Sequence, residues 1–282
     1  MKKTAVVTGV SSGIGFATAK HLLDRGYRVF GSVRKERDAE ETQEKLGENF
    51  TPLLFDVTDQ QAIIKAAEQV EVELGGENLA GLVNNAGVCP MSPMLHSPLD
   101  EVRHAIEVNA LGLLAVTQGF ARLLGARKNA PANPGRLVNI TSVNATIAIP
   151  LFGGYNASKF AAHAISETLR RELSIYGINV SSIQPAEVKT DIQGKINDNQ
   201  LKQQYGDTDF WPAIAMQLET RKCGANSNVI PVEKVTDKVI EAIESAKPKA
   251  DYPLHILWRL NQLLPSKVMD KLLNKFGGIT RC

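Results

Sequence analysis

The chain alternates short apolar segments with longer segments whose apolar residues recur at helical spacing. The short segments predict strands over residues 4–8, 28–33, 51–55, 79–83, 136–140 and 179–184. Helical periodicity follows over residues 16–25, 99–126, 155–176 and, after the last strand, 232–246. Strands that alternate with helices predict a parallel sheet covered on both faces. We therefore expect an α/β fold, a doubly wound parallel sheet in three α/β/α layers.

A glycine-rich loop follows the first predicted strand and opens the first helix. After Thr8 it reads Gly9-Val10-Ser11-Ser12-Gly13-Ile14-Gly15. Glycines allow a tight turn and close backbone approach to a pyrophosphate, and the helix N-terminus offers unpaired N–H groups. The G-x-x-x-G-x-G spacing is one residue longer than the common G-x-G-x-x-G, and glycine turns without ligands are frequent. By itself, the loop indicates a dinucleotide site without requiring one.

The residues after the second strand bear on the choice of cofactor. An acidic side chain there would bind the ribose hydroxyls of NAD, whereas this chain has Arg34 and Lys35. These cations can meet a 2′-phosphate, which favours NADP(H), and the alternative is a solvated basic turn. Asp56, beside Val57 at the end of the third strand, either contacts the adenine edge or caps a turn. Residues 58–61 fit a capping box that opens the next helix.

Small and polar residues also end the later strands. Asn84-Asn85-Ala86-Gly87 leaves room for a flat ligand, although such residues also form Asx turns. Ser142 follows the fifth strand and Thr190 follows the sixth. Ligands of such folds bind at the carboxyl ends of the strands, so we expect these positions to meet at one edge. Asn109, an amide among apolar helical residues, is either solvated or a buried polar group with a function.

Tyr155 and Lys159 stand four residues apart at the start of a helical segment. Positions i and i+4 share a helix face, so the phenol and the ammonium should point into the same space. A cation about 4 Å away contributes roughly 4 kcal/mol at an effective dielectric near 20. That energy matches the shift of about three units from a free pKa near 10 that proton exchange near pH 7 requires. An isolated Y-x-x-x-K is usually only an exposed pair, so the other motifs must support the assignment.

Composition and charge exclude several classes of function. The 282 residues are 43% hydrophobic and carry a net charge of +2 without a basic stripe, so we expect no nucleic-acid partner. Cys89, Cys223 and Cys282 fit neither a disulfide framework nor a zinc spacing, so we expect no metal and a reducing, cytoplasmic setting. The apolar stretch at residues 4–7 is too short for a signal peptide, and no segment is suited to span a bilayer.

Together, these residues resemble the short-chain dehydrogenase/reductase family in its compact, single-domain form. The resemblance covers roughly residues 4–190 and rests on Thr8-Gly9-x-x-x-Gly13-Ile14-Gly15, Asp56, Asn84-Asn85-Ala86-Gly87, Asn109, Ser142 and Tyr155-x-x-x-Lys159. It implies one Rossmann-type domain over residues 1–282. It also implies an oxidoreductase that interconverts a carbonyl and an alcohol, with NADP(H) preferred and NAD(H) as the alternative.

The resemblance further implies a role for each candidate residue. Tyr155 would be the general acid in reduction and the base in oxidation, and Lys159 would hold the nicotinamide ribose and lower the pKa of Tyr155. Ser142 would stabilise the substrate oxygen, and Asn109 would anchor a water in a proton relay. The implied cofactor-binding residues are Thr8, Gly9, Ser11, Ser12, Gly13, Ile14, Gly15, Arg34, Asp56, Val57, Asn85, Ala86, Gly87, Tyr155, Lys159, Pro185, Val188 and Thr190.

The substrate is less closely specified. The apolar pocket candidates predict a lipophilic carbonyl or alcohol: Met91, Met94, Ile149, Leu151, Phe152 and residues 210–216. Residues 191–229 are expected to form a substrate-binding loop or lid. A weaker resemblance, in Val33-Arg34 and the leucine-rich tail, is to the steroid and retinol dehydrogenase branch. The alternative function is a catalytically silent, dinucleotide-binding sensor or scaffold on the same fold.

One departure from the family pattern is Pro185-Ala186, where the family usually has Pro-Gly. Alanine tolerates positive φ less well than glycine, so we expect a slightly displaced loop at Glu187.

The C-terminal extension, residues 250–282, carries an apolar stripe with lysines off it. The stripe consists of Leu257, Leu260, Leu264, Val268 and Leu272, and the lysines are Lys267, Lys271 and Lys275. Pro265 should divide the extension into two helices. We expect the stripe to pack on the domain or on a partner subunit, and contact with a membrane surface is the less favoured alternative. The resemblance implies a homodimer or homotetramer, with the Asn109 and Tyr155 helices at the interface.

Overall fold

The structure, a computed structural model, describes residues 2–188, 197–222 and 229–279. Its centre is a seven-stranded parallel sheet in the order β3-β2-β1-β4-β5-β6-β7. The strands are β1 (Thr4–Val7), β2 (Arg28–Val33), β3 (Phe50–Leu54), β4 (Gly81–Asn84), β5 (Arg136–Ile140), β6 (Asn179–Gln184) and β7 (Asp251–Pro253). The predicted fold and its first six strands are confirmed.

Helices cover both faces of the sheet. They are α1 (Gly13–Asp24), α2 (Glu36–Leu46), α3 (Gln60–Leu74), α4 (Leu99–Ile106), α5 (Gly112–Phe120), α6 (Gly153–Glu172), α7 (Asp198–Tyr205), α8 (Trp211–Lys222), α9 (Val232–Glu244), α10 (Leu257–Leu263) and α11 (Ser266–Gly277). A π-helical turn, Glu107–Leu111, joins α4 to α5, so the long helix predicted here contains a local bulge. Helix α1 packs against α9, whereas α3 packs against α5 and α4 against α6.

Two large apolar clusters lie on the two faces of the sheet. One contains Leu22 of α1 and Val239 of α9, and the other contains Ile63 of α3 and Phe120 of α5. A third, smaller cluster joins α7 and α8 to loops at the carboxyl edge; its buried members are Met91, Leu151, Leu201, Tyr205, Ala213, Ile214 and Leu218. The strand order reverses between β1 and β4, and folds of this kind bind ligands at that reversal.

The structure corrects two local expectations and adds a strand that was not predicted. Helix α3 is capped by Asp59, which accepts the N–H of Ala62 at 3.0 Å, so the capping box based on Thr58 is wrong. Ala186 does not need positive φ, because the described side-chain-bearing residues with positive φ are Asn129, Asn133 and Leu151. The seventh strand lacks a sequence signal because its three residues bury a single side chain, Tyr252.

The C-terminal extension divides at Pro265 into α10 and α11, as predicted. However, α10 buries none of its residues, and α11 buries only Met269 and Gly277. In the described part of the chain, every helix is too short or too polar to traverse a lipid bilayer.

Candidate active site

The glycine loop forms a backbone cradle at the N-terminus of α1. Gly9 and Gly13 adopt φ of +71° and +61°, a region that favours glycine. A Cβ added to Gly15 would lie 2.2 Å from the Gly9 carbonyl oxygen and 2.4 Å from Asn85 Nδ2, so no side chain fits there. The Ser12 side chain makes no capping hydrogen bond, which leaves first-turn N–H groups for an anion. The loop therefore fits a dinucleotide pyrophosphate.

A cleft of about 390 Å³ extends from this loop along the carboxyl edge of the sheet. Ten of the predicted cofactor-binding residues line it: Gly9, Ser11, Ser12, Ile14, Arg34, Asp56, Val57, Asn85, Ala86 and Gly87. Pro185 and Val188 follow β6 but are not among the residues that line the cleft, and Thr190 lies outside the described residues. The reversal point of the sheet thus brings together residues that are far apart in the sequence.

The basic end of β2 faces this cleft. The Arg34 guanidinium is 62% exposed and lies 3.8 Å from a carboxylate oxygen of Asp56. The other Asp56 oxygen accepts both the N–H and the hydroxyl of Thr58, at 2.9 and 2.8 Å. Asp56 therefore caps a turn and orients Arg34. A weak, exposed ion pair leaves Arg34 available for a phosphate.

Thr8 and Asn85 tie the ends of β1 and β4 together. The Thr8 hydroxyl accepts the N–H groups of Asn85 and Ala86, at 2.9 and 3.0 Å. The Asn85 amide donates in return to the carbonyl oxygens of Thr8 and Gly9, at 2.8 and 3.1 Å. These bonds fix the cradle against the floor of the cleft.

Asn109 is a buried polar group with a structural task. Its oxygen accepts the Val88 N–H at 2.8 Å, and its nitrogen donates to the Val88 carbonyl and to Ser158 Oγ, each at 2.8 Å. A Cβ added to Gly87 would lie 2.9 Å from Asn109 Oδ1 and 3.8 Å from Lys159 Nζ. The β4 loop, the π-helical turn and α6 therefore meet at one point. The solvated alternative for Asn109 is excluded.

Tyr155 and Lys159 lie on the first turns of α6, as the four-residue spacing predicts. Lys159 is buried, its Nζ lies 5.7 Å from the centroid of the Tyr155 ring, and it donates to the Ile140 carbonyl at 2.9 Å. Ser142, at the end of β5, interacts with the Tyr155 hydroxyl. Lys159 and Ser142 are buried, whereas Tyr155 is half-buried, so the three side chains lie together with the tyrosine nearest to solvent.

The pKa values of Tyr155 and Lys159 differ from those that the sequence led us to expect. Burial raises the pKa of Tyr155 above its usual value, Cys89 adds to that rise, and the interaction with Ser142 opposes it. Burial also lowers the pKa of Lys159 to about 8. The expectation that Lys159 brings the tyrosine pKa towards 7 is therefore wrong for the protein on its own. Desolvation of the phenolate outweighs a cation held against the Ile140 carbonyl.

Several residues of the cleft carry no sequence signal. The cleft is also lined by Glu101 and His104 of α4 and by Asn197, Gln200 and Gln204 at α7. Of the predicted pocket candidates, Met91 lines the cleft and also belongs to the third apolar cluster, where Leu151, Phe152 and Phe210 pack with α7 and α8. Within the described ranges, no group of three or more His, Cys, Asp or Glu side chains could hold a metal ion.

Comparison with known proteins finds a family model described as short chain dehydrogenase, which matches residues 3–201. The NADPH-dependent 3-dehydrocapnine reductase of Ornithobacterium rhinotracheale is 41% identical over 275 residues, covering 96% of each chain. Retinol dehydrogenase 7 of Rattus norvegicus is 31% identical over 265 residues, covering 89% of this chain and 80% of its own.

A similar fold is found in the crystal structure of a short chain dehydrogenase from Burkholderia cenocepacia in complex with NADP. The TM-score is 0.74 at 23% sequence identity, and the match covers 99% of this chain and 98% of the other.

Proposed function

Because the chain belongs to the short-chain dehydrogenase/reductase family, whose members are NAD(P)-dependent oxidoreductases acting on CH–OH and carbonyl groups, we propose that it reduces a lipophilic ketone or aldehyde with NADPH. The observation that carries this proposal is the grouping of half-buried Tyr155 with buried Ser142 and Lys159, next to Gly87 of the cleft that extends from the dinucleotide cradle.

In the direction of reduction, Tyr155 would act as the general acid. Its phenol, protonated at neutral pH, would supply the proton to a carbonyl oxygen that gains negative charge. Ser142 stabilises that oxygen by a hydrogen bond, and Lys159 positions the cofactor ribose next to Tyr155. When bound, the reduced nicotinamide supplies the hydride. Asn109 and Ser158 hold the loop and the helix that carry these groups in register.

The preference for NADPH is supported by Arg34 and by the relatives. Arg34 stands where an NAD site would place a carboxylate, and it is exposed towards the cleft. The Ornithobacterium relative is an NADPH-dependent reductase, and the Burkholderia structure contains NADP. The 2′-phosphate would be bound mainly by Arg34, with Lys35 nearby.

A lipophilic substrate is supported by the walls of the site. Val88, Met91 and Leu201 are apolar residues that line the cleft. Leu201 belongs to α7, which with α8 lies in residues 197–222, within the predicted lid. The polar side chains of Glu101 and His104, which also line the cleft, would contact a polar part of the substrate or cofactor.

A homo-oligomer and a cytoplasmic location belong to the same proposal. Leu99, Leu111 and Phe160 are exposed apolar residues on α4, the π-helical turn and α6. A face of this kind suits contact with a second copy of the chain.

The proposal is tested by following NADPH and NADH oxidation with a panel of steroidal, retinoid, aromatic and small aliphatic carbonyls. We expect turnover with NADPH, a loss of at least about 100-fold in kcat for Tyr155→Phe, and the best rates with the lipophilic carbonyls. Arg34→Ala should raise KM for NADPH at least about tenfold and leave KM for NADH nearly unchanged. Arg37→Ala, at an exposed neighbouring position, is the matched control.

Two outcomes would contradict the proposal. Turnover restricted to sugars or small polar diols would exclude a lipophilic substrate. Tight NADPH binding without turnover of any carbonyl or alcohol would favour the sensor or scaffold function.

A further inference from the structure

The C-terminal helices α10 and α11 present large apolar side chains to solvent. Leu263 is 78% exposed, Phe276 67%, Ile256 58% and Val268 48%. Of the predicted stripe, Leu257, Leu260, Leu264 and Leu272 are half-buried, and Val268 is exposed. The stripe is therefore only partly covered, and the exposed side chains beside it leave an apolar face uncovered in the described chain.

Cations flank this apolar face. Val268, Leu272 and Phe276 follow one row of α11 at four-residue spacing, and Lys267, Lys271 and Lys275 follow the adjacent row. Arg259 adds a cation on α10, and Asp270 is the single acidic residue between positions 254 and 279. None of these four cations forms an ion pair with another residue of the described ranges. An apolar row beside a lysine row complements an anionic lipid surface.

The two helices are fastened to the loops around the active site. The Asn261 side chain donates to the Thr146 carbonyl at 2.7 Å, four residues after Ser142. The Gln217 side chain of α8 donates to the Phe276 carbonyl at 2.9 Å. A Cβ added to Gly277 would lie 3.4 Å from Pro150, in the loop that leads to α6. The apolar face is thus held next to the loops that surround the substrate.

We propose that α10 and α11 dock the protein on anionic lipid surfaces, with the active site held at the interface. Val268, Phe276 and Leu263 insert among the lipids, and Lys267, Lys271 and Lys275 contact the head groups. Binding of α10 and α11 to lipid does not depend on the proposed enzymatic activity. The role of this binding, to give a lipophilic carbonyl access from the bilayer to the active site, rests on the proposed function. A second copy of the chain is the competing occupant of the same face.

The test is flotation of the full-length protein with two kinds of vesicle, one of phosphatidylcholine alone and one of phosphatidylcholine that contains 30% phosphatidylglycerol. Flotation with the anionic vesicles is measured at about 50 and at about 500 mM salt. We expect flotation with the anionic vesicles, weakened by salt. Lys267→Glu/Lys271→Glu/Lys275→Glu should lower the partition coefficient at least about 100-fold, since each lysine contributes roughly fivefold. Leu263→Asp/Phe276→Asp should abolish flotation.

Two matched control variants carry the same types of substitution at exposed positions far from α10 and α11 in the sequence. The control for the lysine variant is Lys20→Glu/Lys65→Glu/Lys128→Glu, and the control for the apolar variant is Val72→Asp/Ile175→Asp. Both controls should float like the wild type. All variants should retain turnover of a water-soluble carbonyl. If no carbonyl is turned over by any form, the proposed function fails while the flotation result still stands.

The proposal is overturned if the wild type does not float with anionic vesicles. It is equally overturned if the control variants lose flotation as strongly as the α10–α11 variants. A third contrary result would come from sedimentation. If the wild type is a dimer that binds no vesicles, and Leu263→Asp/Phe276→Asp converts it to a monomer, the apolar face is a subunit interface.

Discussion

At the scale of single residues, Lys159 shows how burial and charge compete. Its ammonium donates to the Ile140 carbonyl from a site that is only 6% exposed. One hydrogen bond does not restore the hydration that an ammonium has in water, and the pKa falls to about 8. At neutral pH the group is still mostly charged, so the folded protein without cofactor carries an unfavourable buried cation at its active site.

Lys159→Met should therefore stabilise the protein without cofactor while impairing it as an enzyme. Below pH 8 both folded and unfolded states keep the proton, so the cost of burying the charge is complete. Between about pH 8 and 10.5 the unfolded state binds more protons, so wild-type stability rises with pH. We expect the free energy of unfolding of the variant to exceed that of the wild type by about 1–3 kcal/mol at pH 7, reduced by the contribution of the lost hydrogen bond to Ile140. Most of this difference should disappear by pH 10.

Urea unfolding of the wild type and of Lys159→Met at pH 7 and at pH 9.5 measures this difference in stability. In the same variant, kcat/KM for the best carbonyl should fall at least about 100-fold. Lys65→Met, at an exposed position, is the control and should change neither quantity. A variant that is less stable than the wild type at pH 7 would show that the lysine is not an unfavourable buried charge.

At the scale of elements, the cradle depends on how closely β1, α1 and β4 approach one another. Gly15 does not adopt positive φ, so alanine would be acceptable to its backbone. The obstacle is space, because its added Cβ would meet the Gly9 carbonyl at 2.2 Å and Asn85 at 2.4 Å. Neither contact can relax without breaking the bonds that Asn85 makes to Thr8 and Gly9.

We predict that Gly15→Ala weakens NADPH binding at least about tenfold, since the helix N-terminus must move away from the phosphates. Fluorescence titration with NADPH measures this. Gly26→Ala is the control: Gly26 has φ of +83° and no atom within 4 Å of an added Cβ. It should cost about 1 kcal/mol of stability through backbone strain and leave NADPH affinity unchanged. Equal affinities for Gly15→Ala and the wild type would show that the cradle tolerates a side chain.

At the scale of the whole molecule, the apolar core is divided between the sheet and the region of α7 and α8. The two clusters on the sheet faces hold the domain together, whereas the third cluster joins α7 and α8 to Met91 and Leu151. Since the third cluster is small and separate, α7 and α8 should open at a lower free energy than the sheet. Such local opening would admit substrate without unfolding the domain.

Two substitutions, Ile214→Ala and Ile63→Ala, test whether the third cluster and the sheet differ in stability. Both side chains are buried, but Ile214 lies in the third cluster and Ile63 lies in a cluster on the sheet. Ile63→Ala should lower the free energy of global unfolding by about 2–5 kcal/mol. Ile214→Ala should lower it less, raise KM for the carbonyl, and speed hydrogen exchange in α7 and α8 but not in the sheet. Faster exchange throughout the sheet in Ile214→Ala would show that the region of α7 and α8 and the sheet unfold as one unit.

The fold and much of the candidate site were accessible from local sequence pattern. Alternation of strands and helices predicts the parallel sheet, and the glycine spacing predicts the loop at α1. The four-residue spacing predicts that Tyr155 and Lys159 share a face. Each of these signals depends on backbone periodicity or on residues close in sequence, which a single chain displays directly.

Tertiary structure alone decided what depends on distant groups. Burial raised the pKa of Tyr155 and lowered the pKa of Lys159, since desolvation is set by all the elements packed around them. Packing also brought Glu101 and His104 to the cleft and left the apolar face of α10 and α11 uncovered. Sequence by itself determined which elements form and which chemistry they carry. The assembled chain determined which of those groups lose water, because only a packed interior excludes it.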